Sequence, residues 1–367
     1  MAISFKTLTQ TDRTTSRTLL HESIPITGSI ISGSYATSSV SGRGINIKTF
    51  SHGMFQSVYD YPYLSSSANH IFDITWGYMS SSTINEEHEG SAHVALVENQ
   101  VNKKKNIYTQ MAQILQGFDV DSKVKSFDAD GSHTGGAEWG SLVFLSFSRL
   151  LVKDEIKKGS FRITLGAGTS FDNPFSTVYT LTDEQATGSY KINSPAGEYG
   201  FIKVPLAGNV LRGFVFYQAG IVCLAWPSDY VAGDESTAEW ISSSAEGVTT
   251  AQEAAISGTI DDFNDGFLRR IQNISFNNTT ELNSTIYFCR ANNSEFNYSS
   301  NPTYLSGSKI RVKTDPGTRE TMNLPRSYVT TVGLYSHDNE LMAVAKLSEP
   351  LRKDPTNELN LRVRLDY

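Results

Sequence analysis

The strongest constraint on the fold is a two-residue alternation of apolar and polar side chains between turn signals. It is clearest in residues 325–367, PRSYVTTVGLYSHDNELMAVAKLSEPLRKDPTNELNLRVRLDY. Tyr328 to Tyr335 is rich in β-branched and aromatic residues, and Ser336-His337-Asp338-Asn339 is a turn cluster. The apolar pattern resumes from Glu340 to Leu347. Beyond a proline-bounded loop, Leu359, Leu361, Val363 and Leu365 alternate with Asn360, Arg362, Arg364 and Asp366. Such patterning specifies antiparallel strands with one buried face. The four apolar residues of the last strand are expected to share a core with Val329, Val332 and Leu334. Arg362 and Arg364 are then left to solvent or a partner, and the closing strand is expected to be tied down by packing.

Short, turn-bounded apolar runs recur along the rest of the chain. HIFDITWGYM (70–79), SLVFLSFSRLLV (141–152), SFRITLG (160–166), YGFIKV (199–204), GFVFY (213–217), IVCLAW (221–226), STIYFCR (284–290) and KIRVKT (309–314) read as strands. Phe72, Ile74, Trp76 and Tyr78 share one face of the first of these and are expected to be buried together. One segment has helical period instead. Val97, Val101, Tyr108, Met111 and Leu115 form a stripe, Ile107 and Ile114 widen it, and Gly117 is placed to end it. The fold expected is mainly β, built of antiparallel β-sandwich modules, with one substantial helix over about 97–116. Helices and strands do not alternate, which argues against a doubly wound parallel sheet.

A chain of 367 residues exceeds what a single core usually serves, so several domains are expected. The organisation read from composition is an N-terminal arm or edge strands over 1–45 and a central β-rich domain with the helix over 46–227. A Ser-, Ala- and Glu-rich loop follows over 228–265, with a short helix around Thr250 to Ile256. A C-terminal antiparallel β domain closes the chain over 266–367. Aromatics are dense over 46–80, where Tyr59, Tyr61 and Tyr63 join Phe50, Phe55, Phe72 and Trp76. Rings at this density fill a core or an interface.

Only 19% of residues are charged, below the quarter or so typical of soluble domains. Low charge suits a surface covered by subunit contacts. The net charge of −7 disfavours a nucleic-acid partner, which needs clustered Lys and Arg. The one compact basic run, Lys103-Lys104-Lys105, reads as a solvated helix face. The longest apolar stretch, Gly213 to Trp226, falls short of the roughly 20 residues that span a bilayer and reads as a buried hairpin, so no membrane partner is expected. The start, MAISFKTLTQTDRTT, lacks the basic-then-apolar pattern of a secretory signal. The Asn-x-Ser/Thr sites at Asn273, Asn278, Asn283 and Asn297 therefore carry no weight. Cys223 and Cys289 sit in apolar runs and read as buried free thiols of a protein made in a reducing cytoplasm.

Motifs that would carry chemistry fail their own geometric tests. Glu86-Glu87-His88-Glu89-Gly90-Ser91-Ala92-His93 approaches a zinc-protease helix, but its histidines are one residue too far apart. Five residues turn the second imidazole about 140° away from the first. Asp128-Ala129-Asp130-Gly131 has its glycine too early for a calcium loop and Trp139 where a carboxylate is needed. Asp261-Asp262-Phe263-Asn264-Asp265-Gly266 places Phe263 at a ligand position and Gln272 at the last one. Both read as Asp-Gly turns. Gly166-Ala167-Gly168-Thr169-Ser170 follows a strand but lacks the lysine of a phosphate loop. No catalytic residue, cofactor-binding residue or metal ligand is assigned, and no enzyme activity is expected.

The segment VGLYSHDNELMAVAKLSEP, with LNLRVRLDY at the end, resembles the C-terminal β-module of virion structural proteins from contractile-tailed bacteriophages. The likeness is strongest to the large myophages of marine cyanobacteria. SFSRLLVKDEIKKGSFRITLG (146–166), INSPAGEYG (192–200) and FYQAGIV (216–222) resemble the same family, so the resemblance spreads over about the C-terminal two-thirds. It implies a non-enzymatic virion component made in the host bacterial cytoplasm, with other virion proteins and copies of itself as partners in a symmetric assembly. The related pattern in baseplate and fibre-attachment domains implies a tail baseplate subunit. A neck, head or tail-fibre-attachment protein is the alternative, and a glycan-degrading virion enzyme a third reading. The residues expected at subunit contacts are Arg362, Arg364, Asp366, Tyr367, Tyr59, Tyr61 and Tyr63.

Overall fold

A computed structural model describes residues 5–26, 46–62, 64–79, 95–128, 138–166, 174–205, 210–225, 258–299, 305–306, 309–310 and 325–367, with the side chains of the long helix described from Val101 onward. The fold is mainly β and antiparallel. In chain order the elements are β1 (Arg13–Pro25), β2 (Ile47–Thr49), β3 (Gln56–Tyr59), β4 (His70–Tyr78), α1 (Ala95–Leu115), β5 (Ser141–Phe147), β6 (Glu155–Ile156), β7 (Arg162–Gly166) and β8 (Val178–Thr182). There follow β9 (Lys191–Ser194), β10 (Gly197–Val204), β11 (Val210–Phe216), β12 (Ile221–Ala225), α2 (Ile260–Arg270) and β13 (Ile271–Ala291). The last are β14 (Leu305–Ser306), β15 (Lys309–Ile310), β16 (Ser327–Tyr335), β17 (Leu341–Lys353) and β18 (Leu359–Asp366).

Two compact units result, Leu20–Thr280 and a composite of Met1–Leu19 with Glu281–Tyr367. This division differs from the one read from composition. The chain passes between units inside β1 and inside β13, not in the Ser/Ala-rich segment; β13 runs unbroken for 21 residues across that point in spite of its Asn- and Thr-rich middle. Residues 1–45 are not a free arm where described. β1 lies beside β13, and Ile24 and Ile26 are buried.

In the larger unit the strand order is β13-β7-β8-β10-β11-β12-β5-β4-β3-β2. Ile47 and Val58 at one end and Ile274 and Phe276 at the other join one apolar cluster with Trp76, Leu145, Val215 and Leu224. The sheet therefore folds over its own inner face, in sandwich fashion. α2 closes this core with Phe263, Phe267 and Leu268, and the Phe263 ring stacks on Trp76 at 3.7 Å. Phe72, Ile74 and Trp76 are fully buried on one side of β4, as the alternation requires, and Tyr78 packs against them. The opposite face carries Leu142, Phe144, Tyr199, Phe214 and Phe216 under Tyr108, Ala112 and Leu115 of α1. Burial on both faces explains why β5 reads as a continuous apolar run, not an alternation. Gly77 lets the helix pass close to β4, since a Cβ there would meet the Tyr108 backbone at 3.0 Å.

Several local expectations change. Lys104 is fully buried, not part of a solvated face, because only one residue of a three-lysine run faces inward on a helix. Ile114 is exposed. The second half of the 141–152 run turns into a helical turn at Arg149–Val152. Asp261 to Gly266 is helical, not a turn. Thr259 caps α2, accepting from the Asp262 amide while the Asp262 side chain accepts from the Thr259 amide. Gly117, at φ 77°, ends α1 as expected. The short helix expected near Thr250 and the KIRVKT run past Ile310 lie outside the described residues.

Candidate subunit interface

The residues expected at contacts fall into two groups, one in each compact unit. In the larger unit Tyr59 ends β3, half-buried, with its ring edge-on to His70 at 5.7 Å. Tyr61 is exposed in the loop that follows. That loop is anchored by Asp60, whose carboxylate accepts from the Tyr61 amide at 2.8 Å, the Asn69 amide at 2.6 Å and the Asn69 side chain at 2.8 Å. Burial would raise the Asp60 carboxyl, but the Asn69 bonds outweigh it and hold it below the ordinary range. Tyr63 lies outside the described residues.

In the smaller unit β18 pairs β13, with Leu361 opposite Cys289 and Val363 opposite Tyr287. Arg362, Arg364 and Asp366 are exposed, as the alternation predicts, and Tyr367 is 70% exposed. Asp366 accepts from Ser284 Oγ at 2.6 Å and from Arg364 Nε at 2.6 Å. These two bonds, the Ser284 one first, lower its carboxyl pKa. The Tyr367 hydroxyl lies 3.2 Å from Thr285 Oγ1. Leu359, Leu361, Val363 and Leu365 are half-buried, and their strand partner is β13; Val329, Val332 and Leu334 lie in a separate hairpin, β16–β17.

Among the described residues of the smaller unit, no apolar side chain is fully buried. Its buried side chains are polar: Ser284, Thr285, Asn297, Lys353 and Asp354. Lys353 Nζ donates to Asn297 Oδ1 at 2.6 Å, Asp354 O at 3.0 Å and Asn293 O at 3.3 Å, which ties the end of β17 to the loop after β13. Asp354 is held down to about 2 by bonds from Thr356 and then Arg352.

Sequence reasoning missed an exposed apolar group. On one face of β16–β17, Val329, Val332, Leu334, Ala343, Ala345 and Leu351 are half-buried. On the other, Tyr328, Tyr335, Leu341 and Val344 are exposed, with Met342 beside them. Phe5 joins them, its ring 4.7 Å from that of Tyr335. An apolar residue on an exposed strand face reads the same in sequence as one in a core, so only the pairing reveals it. Exposed patches of this kind mark contact surfaces.

The segments considered for chemistry are placed as follows. His88 and His93 lie outside the described residues, as does 129–137; Asp128 is buried and Trp139 packs in the core 5.3 Å from Phe214. Among the described residues no three His, Cys, Asp or Glu gather to hold a metal, and no helix is long and apolar enough to cross a membrane. Cys223 is buried and Cys289 half-buried; both are free thiols raised by burial. Asp183 is fully buried and raised by burial, although the Gly159 and Phe161 amides and the Tyr217 hydroxyl donate to it at 2.9, 2.8 and 3.0 Å. No family model, curated protein or solved structure matches this chain.

Proposed function

We propose that this chain is a non-enzymatic structural subunit of a contractile-tailed bacteriophage virion, placed in the tail baseplate, whose work is adhesion to neighbouring subunits. The observation that carries the reading is the smaller unit's lack of a fully buried apolar side chain among its described residues. Its strands carry alternating apolar residues, yet the described part covers them only partly. A neighbouring polypeptide supplies the missing cover. The low charge content and the resemblance of the C-terminal module to virion proteins support the same reading, and the baseplate position rests on that resemblance alone. Stable interfaces bury about 1,200–2,000 Å² in total. Purified particles carrying a gold label on this chain, imaged by electron microscopy, test the proposal. Label at the tail end supports it. Label at the neck, head or fibres moves the position while keeping the role, and unlabelled particles end both.

A further inference from the structure

We infer that Lys353 and Asn297 condense into an isopeptide bond, a covalent staple that the chain forms within itself. The inference goes beyond the functional reading and stands whatever the chain's place in a particle.

Both side chains are buried, Lys353 fully and Asn297 at 8% exposure. Lys353 Nζ donates to Asn297 Oδ1 at 2.6 Å, so Cγ, the carbon open to attack, lies one bond beyond that contact. The other end of the amide fixes its orientation, since Nδ2 donates to Asn293 O at 2.6 Å. The same oxygen accepts from Lys353 Nζ at 3.3 Å. The attacking and the leaving nitrogen therefore converge on one carbonyl. The backbone is set to deliver Asn297 here. Phe296, just before it, has φ 55°, a left-handed conformation that a bulky residue holds only where its surroundings impose it. A nucleophile and an electrophile held in contact have already met the entropic part of their barrier.

The step balances without a co-reactant. The Lys353 ammonium gives up a proton, and the free amine turns onto the face of the Asn297 amide. A bond forms between Nζ and Cγ, and the Cγ–Nδ2 bond breaks. The departing nitrogen takes up the proton and leaves as ammonium. Nothing is oxidised or reduced, and the charge of the lysine departs with the ammonium. Burial keeps water from competing for Cγ. The charged groups around the pair are Asp354, which Arg352 binds at 2.6 Å, and Glu295, which Lys6 binds at 2.5 Å. Bonds from Lys6 and the Asn292 amide lower the Glu295 carboxyl first, and the Lys353 charge adds to them. Glu295 is thus within electrostatic reach of the ammonium.

Such a bond answers a need of the smaller unit. That unit has no fully buried apolar side chain among its described residues, and there the β16–β17 hairpin shares no pairing with β13 or β18. The bond joins the last residue of β17 to the loop after β13, which links hairpin to sheet and closes residues 297–353 into a ring. Crosslinks hold units that are short of a core, by restricting the unfolded chain.

The test is intact mass spectrometry of the full chain with peptide mapping, before and after incubation in mildly alkaline buffer, which frees more amine. The wild type should be lighter than its sequence by one ammonia and yield a tryptic peptide in which residues 297 and 353 are joined. Lys353→Arg and Asn297→Ala should keep their sequence masses and lack the joined peptide. In denaturing gels the ringed wild type should run ahead of both variants. A wild type at its sequence mass under both conditions overturns the inference, and that result needs no variant to fold. An ammonia loss that persists in Lys353→Arg, or that comes without the joined peptide, marks succinimide closure at an asparagine and overturns it equally.

Discussion

Trp76 ties β4 to α1, β5 and α2. It is fully buried, stacks on Phe263, donates from Nε1 to Ser141 Oγ at 2.9 Å and lies 5.3 Å beneath the Lys104 ammonium. Trp76→Ala should cost about 3–5 kcal/mol in denaturant unfolding of the larger unit; a loss under about 1 kcal/mol would contradict its place in the core. Lys104 tests the same cluster through pH. Burial lowers its pKa from 10.5 to about 8, against a smaller opposing pull from Asp262. Below about 8 the amine is charged in both folded and unfolded chains, and the burial penalty is complete. Between about 8 and 10.5 the unfolded chain binds the extra proton, so this group adds stability as pH rises. Lys104→Met should remove that rise, measured as unfolding free energy against pH; an unchanged pH slope would mean the amine reaches water.

Element by element, the sequence was most legible where one period dominates. β4, β10, β11, β12 and β18 fall where alternation or short apolar runs put them, and α1 spans Ala95–Leu115 against an expected 97–116. α2 was hidden by its composition. Asp261, Asp262, Asn264, Asp265 and Gly266 look like a loop, and only Thr259 three residues before Asp262 marks the cap. Burial of Phe263, Phe267 and Leu268 overrides the weak propensity of that run. Thr259→Ala should therefore cost about 1 kcal/mol, read from thermal or denaturant unfolding. Of the contact residues, the exposure of Arg362, Arg364, Asp366 and Tyr367 was legible from strand parity. The apolar face of β16–β17 was not, because parity cannot tell which side a neighbour covers. β18 gives an element-scale test. Removing residues 359–367 strips the β13 edge from Ser284 to Ala291 and takes away four half-buried apolar side chains, each worth less than the roughly 1.5–3 kcal/mol of full burial. The smaller unit should lose protection while the larger keeps its fold. Replacing Arg362 and Arg364 by Ser should leave melting nearly unchanged. Normal protection of the truncated smaller unit would contradict the pairing.

At the scale of the molecule, the two units differ in core and in charge. Leu20–Thr280 holds both apolar clusters and carries 17 Lys and Arg against 27 Asp and Glu. The composite unit holds neither cluster and carries 14 against 11. A unit with few buried apolar contacts opens at lower free energy. Amides of β5, β11 and β12 should therefore exchange far more slowly than those of β16 and β17 in the free protein, and assembly should slow exchange at β16 and β17 selectively. This division was not legible in sequence, because two uninterrupted strands carry the chain between units. The most direct measurement of the central claim is the composition of purified phage particles. Quantitative mass spectrometry with label imaging should find this chain at a fixed copy number, located at the baseplate. Its absence from particles that are otherwise complete would contradict the account.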